Sequence, residues 1–260
     1  MSFKHLLFIP AYNCEKQIVR VIEKLSKSNL LNNFEKVLII DNCSNDNTVK
    51  VAKNKIENLN LSHVKLVQNN KNYNLGGTHK TAFNYAIDNG YDYVSILHGD
   101  DQGDINDLNQ VFINGIYENY DCLLGSRFKK NSKLINYPRF RIYANYAINL
   151  VASIVTFRWL NDLGSGINMF KVEYLKNQFY LNFPDDLTFN YSLIFYITSS
   201  KANFLYFPIT WSEDDQVSNV KLFSHAYRWI VILFKFMTNK DSLFNNKELR
   251  KKEYFFKKNF

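Results

Sequence analysis

An α/β fold, with a mostly parallel sheet flanked by helices and a helical C-terminal segment, follows from three features of the sequence. Short apolar runs recur at Leu6–Ile9, Val37–Ile40, Val64–Val67 and Tyr93–Leu97. Stretches with a helical apolar period lie between them. Polar residues gather just after three of the runs, at Tyr12-Asn13, Asp41-Asn42 and His98 to Gln102. Alternating strand and helix argues a parallel sheet with helices on both faces, where buried strands read as continuous apolar runs. Ligands of such sheets bind where the carboxyl ends of the strands line up, so the three clusters are expected to form one site.

The elements follow in order. Leu6–Ile9 is the first expected strand, stopped at Pro10. Cys14 to Ser28 carries Ile18, Val21, Ile22 and Leu25 at helical spacing. Val37–Ile40 ends at Asp41, and Asn47-Thr48 opens a helix through Val51, Ala52 and Ile56. After the third strand, Gly76-Gly77 precedes a helix through Ala82, Tyr85, Ala86 and Ile87, closed at Asn89-Gly90. Beyond the fourth strand the pattern predicts a helix over Ile105–Asn119, a short strand at Cys122–Leu124 and a long helix or helical pair over Arg139–Leu160. Strand-like Ile167–Phe170, a helix over Leu187–Thr198 and a strand at Asn203–Phe207 come next. A polar loop over Ser212–Lys221 and a helix over Leu222–Met237 complete the order. There is no internal repeat and no clear linker, so residues 1–221 are expected as one domain and 222–260 as an amphipathic, basic-aromatic helical segment.

Of 260 residues, 46% are hydrophobic and 22% charged, which excludes a disordered chain. Nine Gly and four Pro exclude a collagen-like or linker-dominated one. Cys14, Cys43 and Cys122 are odd in number and widely spaced, so neither a disulfide framework nor a zinc pair is expected, and a reducing cytoplasm is the default. Aromatics reach 16%, which leaves room for a surface that meets lipid or sugar. Thirty-two basic against 24 acidic residues give +8. The basic residues concentrate from Phe128 through Arg141 and from Lys247 to Lys258, interleaved with aromatic and aliphatic ones. An anionic membrane surface suits these segments better than nucleic acid, and a solvated charged face is the plain alternative. No signal peptide is expected at the start of the chain, and no stretch reaches the ~18 apolar residues of a spanning helix. A cytoplasmic location with peripheral contact at the inner membrane face is the expectation.

Residues 98–104, His-Gly-Asp-Asp-Gln-Gly-Asp, carry the densest chemistry. Oxygen ligands at a strand end can grip a hard divalent cation, Mg²⁺ or Mn²⁺, which in turn holds a diphosphate. Asp100 is the expected ligand; Asp104 reads as a helix cap, and Asp101 is open between the two roles. Gly76-Gly77 reads as close packing of helix on sheet more readily than as a phosphate cradle, and His79 and Lys80 as a solvated face. His5, His63 and His225 have no partner spacing and are expected to be structural. Trp211, Trp229 and the Phe-rich tail read as core more readily than as rings that stack on a sugar or lie at a lipid interface.

Phe8-Ile9-Pro10-Ala11-Tyr12-Asn13, Ile40 through Thr48, Asn74-Leu75-Gly76-Gly77 and His98-Gly99-Asp100-Asp101-Gln102 come in the order and spacing of family 2 glycosyltransferases. Gly125-Ser126-Arg127, Asp162 through Gly166, and Pro208-Ile209 followed by Ser218 to Lys221 extend the likeness from about Phe3 to Lys221. Within that family the sequence most resembles the dolichyl- and polyprenyl-phosphate sugar synthases. The resemblance implies a GT-A type nucleotide-binding catalytic domain, a nucleotide-sugar donor (UDP-, GDP- or dTDP-linked) and inversion at the anomeric carbon. It implies that Pro10, Ala11, Tyr12, Ile40, Asp41, Asn42, Gly99 and Asp100 meet the donor. Asp100 and Gln102, with His98, would hold the metal; Arg127 would meet the diphosphate or an acceptor phosphate; Asp162 would face the reacting centre.

Three positions depart from the family pattern. His98 stands where Asp is usual, and imidazole suits Mn²⁺ better than Mg²⁺, so it either changes the metal preference or packs. Asn42 replaces the second Asp of a pair, and Cys14 replaces a common Glu. A phosphate acceptor is already ionised, whereas a hydroxyl needs a general base. For that base Asp162 is the first candidate, then Asp185 or Asp186, which also read as helix caps. The expected function is sugar transfer to a polyprenyl phosphate or glycan at the membrane face. The alternatives are a hydroxyl-accepting transferase for a surface polysaccharide, and a catalytically silent fold that binds nucleotide-sugar or partner proteins.

Overall fold

A computed structural model describes residues 3–215, 222–258 and 260, the side chains of 222–225 excepted. Nine strands and ten α-helices are described. The strands are β1 (His5–Ala11), β2 (Lys36–Asp41), β3 (Val64–Gln68), β4 (Tyr93–Leu97), β5 (Cys122–Ser126), β6 (Lys133–Ile135), β7 (Ile167–Lys171), β8 (Phe204–Pro208) and β9 (Thr210–Ser212). The helices are α1 (Glu15–Lys27), α2 (Thr48–Asn58), α3 (Asn74–Asp88), α4 (Asn109–Ile113), α5 (Arg139–Thr156), α6 (Val172–Leu175), α7 (Phe189–Ser199), α8 (Leu222–Thr238), α9 (Lys240–Phe244) and α10 (Lys247–Arg250).

Seven strands make one sheet in the order β3-β2-β1-β4-β7-β5-β8, with β7 alone antiparallel to its neighbours; β6 and β9 pair separately. The order reverses beside β1, where β2 lies on one side and β4 on the other. Such a reversal opens a crevice at the carboxyl ends of the strands. Ala11 sits opposite Asp41, and Asp41 opposite Gln68, so the polar ends are in register.

Alternation along each strand feeds two cores. Leu6, Phe8, Leu38, Ile40 and Ile96 face one side with Phe83, Phe189 and Phe195 from α3 and α7. Leu7, Ile9, Val37 and Ile39 face the other with Ile18, Val21, Ile22 and Leu25 of α1. Residues 222–260 are not an appendage in packing terms: Ile232, Leu233, Phe236, Phe244 and Tyr254 belong to the first core.

Some elements differ from expectation. The helix predicted over Ile105–Asn119 is broken into 3-10 turns at Ile105–Leu108 and Ile116–Asn119 around α4, because Gly115 takes a positive φ of 59°. His79 and Lys80 are not on a solvated face; both are buried, at 1% and 0% exposure. Close packing explains the glycine pair beside them: a Cβ on Gly76 would stand 2.6 Å from Pro184 O. The polar stretch Ser218 to Lys221 and the side chain of His225 lie outside the described residues.

Burial sets a pH response. Desolvation pushes His5 down to about 4, against a smaller pull from Asp92, and His79 down to about 3. Both rings stay neutral in the fold but charge near 6.5 when unfolded. The unfolded chain therefore binds more protons in that window, and stability falls as pH drops from 6.5 towards 4, by up to about 1.4 kcal/mol per unit for each ring. Asp100 and Asp107, pushed up to about 6 by burial, act in the opposite sense below pH 6. The check is therefore a comparison: the fall in urea midpoint from pH 7 to pH 5 should be smaller in His5→Phe than in the wild type, and an equal fall would contradict it.

Candidate active site

The loops leaving β1, β2 and β4 are tied together at the crevice. Asn42 N donates to Ala11 O at 2.9 Å, and Gly99 N to Pro10 O at 3.0 Å. A Cβ at position 99 would stand 2.8 Å from Pro10 O, which is why the chain needs glycine there. Asn13 N to Ser44 Oγ (2.9 Å) and Cys14 N to Thr48 Oγ1 (2.8 Å) bind the first loop to the second. Across the crevice, His98 N donates to Gly166 O at 3.2 Å, and the charge of Arg127, just after β5, acts on the His98 ring. Tyr12, Asn42, Asp100 and Arg127 therefore lie along one sheet edge.

The positions at that edge differ in what they can offer. Tyr12 is exposed, whereas Pro10, Ala11 and Ile40 are buried, and the Ile40 side chain is spent in the core. Asp41 is fully buried; its Oδ2 accepts from Gln68 Nε2 at 2.8 Å and Ser44 N at 3.1 Å, while Oδ1 has no hydrogen-bond partner. An unmet buried acceptor costs stability until something donates to it. The Asn42 amide is largely engaged: Oδ1 accepts from Asn69 Nδ2 and Tyr73 N, and Nδ2 donates to Asn72 Oδ1 at 2.8 Å. Asn42 thus clips the 69–73 loop to β2.

In the 98–104 loop the acids separate by role. Burial pushes the Asp100 carboxyl up to about 6, partly offset by backbone N–H donors that include Gln102. Asp101 turns to α1, where Arg20 Nε (2.7 Å) and Lys24 Nζ (2.8 Å) hold it, so it anchors the loop. Asp104 caps the following 3-10 turn through Asn106 N at 2.9 Å. Gln102 is partly buried, and its carbonyl receives Ser212 N at 2.8 Å. The His98 ring is enclosed: a Cβ on Gly166 would come within 2.8 Å of it, and the His79 ring lies 5.8 Å away. Burial, then Arg127, pushes His98 down to about 4, so its ring is neutral, and Nε2 has no protein partner.

These residues fit a divalent cation in a limited sense. Asp100 is a carboxyl whose charged form burial disfavours, and a cation would offset that cost. Among the described residues no group of three or more His, Cys, Asp and Glu converges. A cation here would be completed by ligand oxygens and water, which suits Mg²⁺ and Mn²⁺.

Arg127 and Asp162 form one unit. Arg127 Nε meets Asp162 Oδ2 at 2.8 Å and Nη2 meets Oδ1 at 2.7 Å, while Arg127 N and Gly164 N donate to the same carboxylate at 2.9 and 3.0 Å. Burial pulls the guanidinium down, but Asp162 outweighs it and holds the group above its ordinary value. Phe128, Tyr137 and the buried Trp211 surround the guanidinium carbon at 5.3, 5.9 and 5.4 Å. Asp162 was expected to face the reacting centre and, for a hydroxyl acceptor, to be the first candidate for the base. In this structure its carboxylate accepts four hydrogen bonds, from Arg127 N, Nε and Nη2 and from Gly164 N. Asp185 and Asp186 are engaged as well. Asp186 caps through Thr188 N at 2.8 Å and pairs with Arg228. Asp185 receives Lys80 Nζ, Lys252 Nζ and Tyr254 Oη, each at 2.7 Å.

Sequence reading missed the Lys80 cluster, although Gly76, Lys80 and Phe83 share one helix face at i, i+4, i+7. Lys80 Nζ also reaches the Phe183 carbonyl and Tyr254 Oη at 3.1 Å. The tail contributes to the same cluster. Part of the basic-aromatic strip is packed: Tyr254 is buried and Phe256 bridges Asn69 at the open edge of the sheet, while Phe255 and the basic residues Lys251, Lys252, Lys257 and Lys258 are exposed. Asn70 N donates to Phe255 O at 3.0 Å, and Lys257 N to Gln68 O at 2.8 Å, next to the Gln68 amide that holds Asp41. Tyr254→Phe is expected to cost about 1–3 kcal/mol, because it removes the hydroxyl shared by Lys80 and Asp185. A urea melt at pH 7 checks it, and an unchanged midpoint would show that the cluster is not stabilising.

A doubly covered sheet reversing at β1, with acids and an arginine gathered at its carboxyl edge, has the architecture of GT-A glycosyltransferases. The profile of "Glycosyl transferase family 2" matches residues 7–179, and the chain belongs to that family. A UDP-N-acetylglucosamine–dolichyl-phosphate N-acetylglucosaminyltransferase of Methanococcus voltae is 27% identical over 180 residues, 65% of this chain and 70% of that protein. Two solved structures share the fold. S. aureus TarS 1-349 with UDP-GlcNAc has a TM-score of 0.60 at 18% identity, over 91% of this chain and 67% of that one. Glucosyl-3-phosphoglycerate synthase from Mycobacterium tuberculosis with UDP has a TM-score of 0.64 at 12% identity, over 90% and 80%. The latter enzyme has also been solved with Mn²⁺ and UDP together.

Proposed function

We infer that this protein transfers a sugar from a nucleotide-sugar donor to a polyprenyl phosphate at a membrane surface. The observation that carries the reading is the strand-end edge itself, where backbone ties between β1, β2 and β4 hold Tyr12, Asp41 and Asp100 together and Arg127 follows β5 on the same edge. The unmet Asp41 Oδ1 is an acceptor for a donor N–H such as a nucleobase offers. Asp100, with diphosphate oxygens, would hold the cation, which supplies charge stabilisation to the leaving diphosphate. Arg127 adds positive charge at the same edge, its orientation fixed by Asp162.

The engaged carboxylates favour a phosphate acceptor. An oxygen of the acceptor phosphate attacks the anomeric carbon, the bond from that carbon to the diphosphate oxygen breaks, and its electron pair leaves with the nucleoside diphosphate, inverting the centre. No proton has to be removed from the nucleophile. A hydroxyl acceptor would need Asp162, Asp185 or Asp186 to give up a partner first. The Methanococcus voltae relative, named for a dolichyl-phosphate acceptor, supports the same choice.

The test is a transfer assay with radiolabelled UDP-, GDP- and dTDP-sugars, Mn²⁺ or Mg²⁺, and either a short-chain polyprenyl phosphate or the corresponding alcohol. The reading expects label on the phosphate only. Label on the alcohol, or none with any donor, would overturn it.

A further inference from the structure

We propose that the outer faces of α5 and α8, with the turn that ends α5, dock this protein on an anionic lipid bilayer. The two helices are neighbours, and each turns large apolar side chains to solvent. Phe140, Tyr143, Leu150 and Ile154 are exposed on α5, and Tyr227, Ile230, Phe234 and Met237 on α8. Helices of a soluble surface bury that stripe and present polar residues outward. Here α8 puts Ile232, Leu233 and Phe236 into the core and still shows an apolar outer face.

The turn after α5 makes the same point through strain. Phe157 caps the helix in the left-handed conformation, φ 55° and ψ 28°, where glycine is the usual residue. A bulky side chain there costs free energy, and its ring reaches no core: Phe157 is 94% exposed and Trp159, two residues on, 72%. An aromatic tip of this kind suits the boundary between water and acyl chains.

Charge selects the occupant. No carboxylate lies between Asp121 and Asp162, or between Asp215 and Asp241, in a chain with 24 acidic residues. In space Glu213 pairs with Arg141 of α5 and Asp186 with Arg228 of α8, while Arg139, Arg158, Lys235 and Lys240 are exposed within those stretches. Beside the aromatic tip, Lys129, Arg158, Trp159 and Asn161 line a cavity of about 320 Å³, a cationic recess that matches a lipid headgroup phosphate. A second copy of this chain would bring the same positive charge to the contact and be repelled. The docking face is therefore α5 and α8; in the tail, Arg250 of α10 donates to the Asn177 and Gln178 carbonyls and Phe255 to Lys257 meet the sheet edge.

This inference adds to the polyprenyl-phosphate reading the surface on which such an acceptor is met, and it is tested without turnover. The full chain is sedimented with phosphatidylcholine vesicles and with 3:1 phosphatidylcholine–phosphatidylglycerol vesicles, a ratio of about that value being enough to create a negative surface potential. F157S/W159S and, separately, I154S/F234S should weaken partitioning to the anionic vesicles at least about tenfold, with unchanged circular dichroism and thermal midpoint. High salt should weaken the wild type in the same direction. Wild-type partitioning by both variants would overturn the proposal, as would a wild-type dimer in sedimentation velocity that the same substitutions split. Transfer to a water-soluble short-chain acceptor should be untouched in both variants, so loss of docking and failure of the transferase reading give different results.

Discussion

Replacing Asp162 with alanine is expected to destabilise the protein by about 3–5 kcal/mol, because it strands a buried guanidinium whose ion pair among the described residues is with Asp162. Arg127 and Asp162 expose 11% and 0% of their side chains, so water cannot take over the lost partner. The loss reaches the site as well. Arg127 N, Nε and Nη2 are all fixed by the one carboxylate, and the ring of Gly164 to Gly166 that supports His98 hangs on the same group through Gly164 N. Asp162→Asn keeps one acceptor oxygen and should fall between wild type and alanine in denaturant midpoint. A base would behave differently: Asp162→Asn would keep full stability and lose only turnover. Urea unfolding and turnover, measured on both variants, separate the two accounts.

Asp100→Asn is expected to lose about 100- to 1000-fold in turnover, the usual cost of removing one electrostatic partner of a transition state. Its effect on stability should have the opposite sign. Burial pushes the Asp100 carboxyl up to about 6 from 3.8, so the folded state holds this proton more tightly than the unfolded chain does. The fold is therefore penalised at pH 7, where the group is ionised, and the penalty fades as pH falls through 6 towards 3.8. The neutral amide keeps the shape and removes that penalty, a gain of about 1–2 kcal/mol at pH 7 that vanishes near pH 4. A site that trades stability for charge placement behaves in this way. Unchanged turnover in Asp100→Asn, with the same response to Mn²⁺, would remove Asp100 from the machinery.

The parts of this architecture that a reader of the sequence can find are those written locally. Leu6–Ile9 and Val37–Ile40 announce themselves because strands covered on both faces cannot tolerate polar residues. The polar residues that follow them mark the edge for the same reason. The insertion of antiparallel β7 between β4 and β5 is not legible, since it depends on pairing between Leu97 and Ile167 and between Leu124 and Asn168 across the fold. The partners of the acids are hidden likewise. Asp162 stands next to a Gly-Ser-Gly loop and reads as a free carboxylate, yet its partner lies 35 residues earlier. Lys80 looks solvent-facing by residue type, but the oxygens that make its burial tolerable come from residues 181–185 and from Tyr254. Aromatic content does not say which rings are exposed: Tyr254 is buried, whereas Phe255 and the outer faces of α5 and α8 are in solvent.

The most direct test of the crevice is a crystal structure of the protein soaked with UDP and Mn²⁺, with GDP and dTDP in parallel. The edge described above predicts a base beside Tyr12 with an N–H donated to Asp41 Oδ1, and a diphosphate between Asp100 and Arg127 with the cation on Asp100. Density for the nucleotide anywhere else on the surface, or none at saturating concentration of all three, would contradict it.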